Sequence, residues 1–390
     1  MTEDRTYLRT HPWITFNLDY ERFSFMYWLL LGEAQSKCEH MAGIPLLPGV
    51  ARDLHQLYLA KGALATTAIE GNTLSIEEVR ERIEKKSKLT PSREYLGTEI
   101  DNIVKACNSI VDDLLKDKAF KLNIDQISQF NIMILKDLPL DEGVIPGKIR
   151  NYGVGVGSYR GAPTEDCEFL LGRLCEWLNE DFRAPKGYEV AFGLIKAVIS
   201  HLYLAWIHPF GDGNGRTARL VELQILLSLG IPAASAHLLS NHYNQTRTEY
   251  YRHLEMASHK TDGIYLFIEY ALRGFVDGLR EQIEMIREQQ EVVHWINYIH
   301  EFFRGKEGSA SRRQKHLLIE LSYNPESIPI ENIKQVSPRI AEEYAKKSKR
   351  TIIRDINKLE EYGLIEKTPQ GIRSRREIIL AFRSPTAKCD

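Results

Sequence analysis

Residues His208–Arg219 read HPFGDGNGRTAR. Twelve positions hold one histidine, one aspartate, two arginines, one asparagine and three glycines. No core helix or strand has that composition. The segment before it, ISHLYLAWI, is apolar at helical spacing, and RTARLVELQILLSLG after it is helical up to Gly230, a good C-terminal stop. HPFGDGNG is therefore a loop between two helices. Its glycines let backbone approach a ligand and adopt positive φ. It leads into a helix N-terminus, where free N–H groups and the helix dipole favour an anion. Arg216 and Arg219 are three apart on the first turn and suit phosphate oxygens. Asp212 is a hard oxygen donor apt for Mg²⁺ shared with a phosphate chain. His208 can take a proton near neutral pH. The run describes a polyphosphate site with a metal and a base. It is neither a Walker loop, since GxxxxGK[ST] is missing, nor a Rossmann turn, since no strand precedes it.

Around this centre most of the chain reads as helix. YERFSFMYWLLLGEAQSKCEHM, GVARDLHQLYLAKGALATTAIEG, SREYLGTEIDNIVKACNSIVDDLLKD, EDCEFLLGRLCEWLNEDF and GYEVAFGLIKAVISHLYLAWI place apolar residues three and four apart. Gly143–Asp166, with its glycines, alternating valines and Gly-Ala-Pro, predicts a β-hairpin flap instead. A nearly unbroken helix from about Gly263 to Gly305 reads as a connector into a smaller C-terminal domain.

Composition is that of an ordinary globular chain: 390 residues, 43% hydrophobic, 27% charged, net charge −2. The length predicts two or three domains. The charged start MTEDRTYLRTHPW is not read as a secretory signal, and no run is expected to reach the ~18 apolar residues of a membrane span. Five scattered cysteines without CxxC spacing argue against a disulfide framework or a zinc site. A reducing cytoplasm is the expected location, with no membrane partner. From Glu301 to Asp390 there are 19 Lys+Arg against 13 Asp+Glu, a mildly basic tail on an acidic body.

HPFGDGNGRTAR resembles the Fic-domain motif HPFx[D/E]GNGRxxR at every specified position. The resemblance covers about Asn123–Ala271 and implies a mainly α fold: a Fic-type helical core with a β-hairpin flap. Fic enzymes transfer a nucleotide monophosphate, usually AMP from ATP, to a hydroxyl side chain of a target protein. By resemblance His208 is the general base and Asp212 holds Mg²⁺. Gly213, Asn214 and Gly215 form an anion nest, with Arg216, Thr217, Ala218 and Arg219 completing the nucleotide site. Phe210 anchors the loop. The flap residues Val156, Gly157, Ser158 and Tyr159 lie over the nucleotide and align a target segment by strand addition. Tyr250 and Tyr251, in YYRHL, line the adenosine pocket. His201, seven residues before His208, reads as a support for His208 or as a buried structural histidine.

TTAIEGNTLS (Thr66–Ser75) ends a helix at Glu70-Gly71-Asn72. A carboxylate at a helix C-terminus meets an unfavourable dipole, so another partner is expected to hold it. The stretch resembles the Fic inhibitory motif [S/T]xxxE[G/N], with Thr66, Glu70 and Gly71 at its specified places. The resemblance implies that Glu70 pairs with Arg219 within the chain and removes a phosphate ligand.

SPRIAEEYAKKSKRTIIRDINKLEEYGLIEKTPQGIRSRREIILAF has the order of a winged helix-turn-helix, a small α+β domain. Ile352, Ile356, Leu359 and Tyr362 make one face of its second helix. Thr351, Arg354 and Lys358 make the other and are candidate DNA contacts. GLIEK and REIIL are expected as the strands of the wing. A protein-interaction or dimerisation module, including a homodimer, fits the same pattern.

The organisation expected is thus 1–122 helical with the inhibitory motif, 123–271 catalytic, 272–305 a connecting helix, and 306–390 winged helix. The function expected is AMP transfer from ATP to a target protein, with self-modification. Alternatives are a DNA-binding regulator using the Fic fold as nucleotide sensor, transfer of another nucleotide or of phosphocholine, and removal of AMP with Glu70 orienting water.

Overall fold

A computed structural model describes residues 5–86, 89–116, 121–156, 159–260, 262–324 and 326–380. The chain divides into two compact units, Met1–Gln282 and Ile283–Asp390.

The first unit is helical. A short α1 (Tyr7–Thr10) precedes α2 (Phe25–Ala42), α3 (Pro48–Ala68), α4 (Ile76–Ile83), α5 (Glu94–Lys116) and α6 (Ile124–Leu135). The hairpin β1 (Gly155–Val156) and β2 (Tyr159–Arg160) follows, then α7 (Thr164–Glu180), α8 (Glu189–Ile207) and α9 (Asn214–Ser228). Short α10 (Ala233–Ala236) leads to α11 (Leu238–Gln245), α12 (Arg247–His259) and the long α13 (Gly263–Phe302). Local chemistry sets several starts. Ser75 and Glu78 form a capping box on α4, and Asn123 accepts from Gln126 N at 2.8 Å to open α6.

The core is built on the pair α8 and α9, with α2 and α7 packed on α8, and α5 and α6 on α9. Fifteen of the 19 residues of α8 are buried. That helix corrects one expectation: GYEVAFGLIKAVISHLYLAWI does contain a stretch, Glu189–Ile207, long and apolar enough to cross a membrane. Here its side chains are covered by neighbouring helices, which accounts for a composition apolar all round. The Tyr20–Met41 stretch also differs from a single helix, because a 3₁₀ turn at Tyr20–Arg22 capped by Asp19 precedes α2.

The flap is smaller than the glycine pattern suggests. Among the described residues Gly155↔Arg160 and Val156↔Tyr159 pair, antiparallel. Gly157 and Ser158 lie outside the described residues.

The second unit contains the C-terminal part of α13, α14 (Ser309–Leu321), α15 (Pro338–Tyr344), α16 (Lys349–Glu361), and the hairpin β3 (Ile365–Thr368) with β4 (Gly371–Ser374). Its core joins Trp295, Ile299 and Phe303 to Leu317, Ile340, Tyr344, Ile356 and Ile372. The compact unit begins at Ile283, inside the helix expected as a connector, and Trp295 and Ile299 of that helix are among its fully buried residues. The wing is also shifted. The strand paired with β3 is Gly371–Ser374, whereas Arg376–Ile379 is a 3₁₀ turn. Gly371, at φ 150°, closes the hairpin three residues after Thr368 and so places the second strand before REIIL. Beneath α16, Asp355 is buried and accepts from Arg313, Gln314 and Tyr344.

Candidate active site

His208 caps α8 in the left-handed region, φ 50° and ψ 59°. A side chain there is disfavoured and must be held by its surroundings. Its N–H donates to Leu204 O at 2.9 Å and its carbonyl accepts from Arg150 Nε at 2.7 Å. Buried Arg150 also donates to Tyr152 O and Ala162 O, one on each side of the flap. One guanidinium thus ties the His208 turn to both ends of the hairpin segment. Burial is the main reason the imidazole is lowered to about 4. His208 is neutral at pH 7 and able to accept a proton.

The loop after His208 is braced from inside. Phe210 is buried, and Asn214 closes a double hydrogen bond on it, Nδ2 to Phe210 O and Phe210 N to Oδ1, both 2.8 Å. Asn131 of α6 donates to Asp212 O at 2.8 Å. Gly213 has φ 75° and an added Cβ would lie 3.0 Å from Asn131 Nδ2, so glycine is required on both counts. The Asn214 side chain is committed to this brace, which leaves its backbone and that of Gly215 at the open helix end. Thr217 and Ala218, also expected at the nucleotide, lie on the first turns of α9. Both side chains are buried in the core, and Thr217 N is used by Gly213 O. The helical turn that aims Arg216 and Arg219 turns these two inward.

The two arginines have separate partners. Arg219 is buried, and its Nη2 donates to Glu70 Oε1 at 2.5 Å and Thr66 O at 3.0 Å. Arg216 Nη1 donates to Glu99 Oε1 at 3.0 Å, and its Nη2 lies 3.5 Å from Asp212 Oδ1. Glu70 reaches Arg219 because α3 ends in a Schellman turn: Asn72 N donates to Thr67 O, Gly71 N to Ala68 O, with Gly71 at φ 110°. Tyr251 OH and Arg247 cap Ile69 O and Ala68 O. Burial would push the Glu70 carboxyl up, but the Arg219 charge and hydrogen bond, joined by Arg216 and His208, hold it below the usual carboxylate value. A Cβ on Gly215 would stand 2.3 Å from Glu70 Oε1, so the third motif glycine makes room for the pair. Thr66 contributes its carbonyl to Arg219.

A cavity of about 590 Å³ opens beside these groups, lined by Glu70, Tyr159, Ala205, Trp206, His208, Gly215, Thr248, Tyr250, Tyr251, Arg252, Leu254 and Glu255. Tyr159 hangs over α8 through a 2.7 Å bond to Trp206 O, and Val156 pairs with it across the hairpin. Tyr250 is buried against Tyr243 and shares a 2.9 Å bond with His201 Nε2. His201 is fully buried, kept neutral by its burial, and 3.6 Å from Glu222. It lies behind the cavity, bonded to the lining residue Tyr250, as a buried structural histidine. Glu222 is pushed up to about 8 by burial and accepts from Tyr243.

Sequence reasoning brought His208, Arg219, Glu70, Tyr250 and Tyr251 to one place but missed Arg150, Asn131, Glu99, Asn72 and Trp206. Arg150 and Glu99 lie 58 and 117 residues from their partners His208 and Arg216, and each is an ordinary surface residue type. Their only signal is tertiary. A metal would find one donor here, the half-exposed Asp212 carboxylate beside the helix end. No cluster of three or more His, Cys, Asp or Glu occurs among the described residues. That set fits Mg²⁺, which binds through one or two carboxylates plus substrate phosphates.

Residues 121–226 match the Fic/DOC family model. The chain carries a Fic domain, and its site lies within and beside that span. Among curated proteins it is similar to Protein adenylyltransferase fic-1 of Caenorhabditis briggsae, 28% identical over 226 residues, 58% of this chain and 41% of that protein. It is also similar to Protein adenylyltransferase Fic of Nematostella vectensis, 32% identical over 200 residues, 50% of this chain and 42% of that protein. The chain thus spans about two-fifths of the length of these relatives. A Fic family protein from Desulfovibrio desulfuricans G20 shares the fold at TM-score 0.56 and 20% identity, covering 92% of this chain and 98% of that one. Fic-1 (residues 134–508) from C. elegans aligns at TM-score 0.54 and 24% identity, over 67% of this chain and 73% of that one.

Proposed function

We propose that the chain is a protein adenylyltransferase, moving AMP from ATP to a hydroxyl side chain of a protein, and that Glu70 holds it in check. The observation that carries the reading is the neutral, half-buried His208 beside a helix N-terminus and a nucleotide-sized cavity. The relatives named protein adenylyltransferase support the choice of adenylyl as the group transferred.

In this reading the base and sugar occupy the cavity between Tyr159, Trp206 and the α12 tyrosines. The phosphates run along the Gly213–Gly215 backbone to Arg216 and Arg219. The target hydroxyl loses its proton to His208 as its oxygen bonds to the α-phosphorus. The bond from that phosphorus to the β-phosphate oxygen breaks, and diphosphate leaves. A positioned base of this kind contributes ~10²–10⁴-fold. Arg216, Arg219 and the helix N–H groups stabilise charge on the phosphates. Mg²⁺ on Asp212, when bound, would neutralise phosphate charge.

Glu70 occupies the guanidinium that the outer phosphate needs. Its carboxylate also lies where it repels that phosphate. Incubation of wild-type, Glu70→Gly and Glu70→Gly/His208→Ala proteins with α-labelled ATP and a cell lysate tests the reading. Label on protein is expected to rise with Glu70→Gly, on the chain itself first, and to vanish without His208. Absence of label from the Glu70→Gly protein defeats it.

The C-terminal unit carries a separate proposal, a winged helix binding DNA. On α16, Arg354 is exposed beside Arg350 and Asn357, opposite buried Ile352 and Ile356. Thr351 is half-buried, and Lys358 is paired with Glu361 at 2.8 Å, so Arg354 is the best-placed contact.

A further inference from the structure

The inhibitory segment reaches both motif arginines, by different routes. Glu70 meets Arg219 directly. Two residues on, Asn72 donates through Nδ2 to Glu99 Oε2 at 2.8 Å, while the other oxygen of Glu99 accepts from Arg216 at 3.0 Å. Asn72 is buried; its Nδ2 also donates to Leu96 O on α5, the helix that carries Glu99, and its Oδ1 accepts from Leu74 N. The Schellman turn fixes Glu70 and Asn72 together, since Asn72 N is one of its two closing donors.

The charges explain why this matters. Arg216 stands between two carboxylates, anchored Glu99 and half-exposed Asp212. Both arginine and Glu99 side chains are largely shielded from water, 7% and 17% exposed, so their bond is directional rather than a loose surface pair. Glu99 sets where the guanidinium points, and Asp212 or a phosphate takes the Nη2 that remains. Glu99 in turn is held by Asn72.

We propose that Glu99 is a positioning residue for Arg216, and that Asn72 makes this position depend on the inhibitory segment. The brake then has two arms: Glu70 withholds Arg219, and Asn72 through Glu99 governs the aim of Arg216. This rests on the reading of the site as a nucleotide-transfer centre. A movement that releases Glu70 also disturbs Asn72, so full activity requires Glu99 to keep Arg216 aimed while the clamp is open.

The test is a set of substitutions read by transfer from α-labelled ATP and, separately, by ATP affinity in titration calorimetry. In the wild-type background Asn72→Ala loosens the segment and should raise transfer. In the Glu70→Gly background the brake is already gone, so Asn72→Ala should lower kcat by leaving Glu99 unanchored. A merely structural role would lower transfer in both. Glu99→Gln in the Glu70→Gly protein should lower kcat, and Asn72→Ala should then add nothing. ATP affinity should show the same coupling without turnover: Asn72→Ala shifts Kd by about threefold or more when Glu99 is present, and not in Glu99→Gln. Additive effects on Kd, or the same sign of change in both backgrounds, overturn the proposal. If Glu70→Gly transfers no label, the adenylyltransferase reading falls, while coupling in Kd still decides the second arm.

Discussion

Glu70 Oε1 lies 2.5 Å from Arg219 Nη2, on a guanidinium whose two remaining nitrogens, Nε and Nη1, make no hydrogen bond among the described residues. The pair is asymmetric in consequence. On the proposed reading, Glu70→Gly frees a phosphate ligand and removes a repelling charge, whereas Arg219→Ala breaks the pair but deletes the ligand itself. Glu70→Gly should raise transfer of label, Arg219→Ala should not, and the double variant should behave as Arg219→Ala alone. Equal activation by both single variants would show that the clamp is not the brake.

His208→Ala, made in the Glu70→Gly protein, should abolish transfer and leave ATP affinity nearly unchanged. The His208 turn is held through its backbone, by Leu204 and Arg150, and does not need the imidazole for its shape. Calorimetric ATP binding beside a label assay separates the two effects, and transfer within about 10-fold of the parent would remove His208 from the role of base.

The pH dependence follows from two groups whose shifts agree in sign. His208 is lowered to about 4, so the folded protein keeps it neutral while the unfolded chain protonates it near its ordinary value of 6.5. Stability from this group is lost as pH falls from 6.5 toward 4. Glu70 is held below its ordinary value of 4.5, so the clamp is charged above that value and is lost only as pH falls through the lowered one. Base and brake therefore keep their working charge states together. The ratio of Glu70→Gly to wild-type transfer should stay flat from about pH 5.5 to 7. A ratio that collapses toward unity by pH 6 would mean Glu70 is protonated there and the clamp geometry is wrong.

Truncation should respect Gln282 rather than Gly305. A chain ending at 282 keeps the first core whole, whereas one ending at 305 leaves Trp295, Ile299 and Phe303 without their partners on α14–α16. The shorter protein should be monodisperse in light scattering and the longer one should bind a hydrophobic dye and aggregate. The reverse order would place the boundary where the helix pattern alone suggests.

If the C-terminal unit reads DNA, Arg354→Ala and Lys358→Ala should each weaken binding across sequences and lower the slope of log affinity against log salt by about one. The Lys358 effect should be the smaller, because Glu361 already engages its ammonium. Failure to shift any duplex at low salt would turn the unit toward a protein partner.

Much of this molecule is written locally. The run His208–Arg219 specifies a loop, its glycine turns and a helix N-terminus, because each property depends on φ preferences and helix-end chemistry a few residues wide. Thr66–Asn72 likewise specifies a helix end, since the Schellman turn needs glycine at 71 and little else. The same locality has limits. Thr217 and Ala218 fall within the motif but face the core, because the helical period, not membership in the run, decides what a side chain meets. Helix Glu189–Ile207 carries the apolar length of a membrane span and is instead wrapped by its own protein.

What the sequence by itself determined is the presence of a base, two arginines, a helix N-terminus and a carboxylate at a helix end, all set by short-range backbone rules. What only the tertiary structure decided is their pairing: Glu70 on Arg219, Glu99 on Arg216 with Asn72 behind it, and Arg150 on His208. Those contacts close loops of 27 to 149 residues, and hydrogen bonds that act over about 3 Å leave no trace in chain spacing until packing brings the groups together.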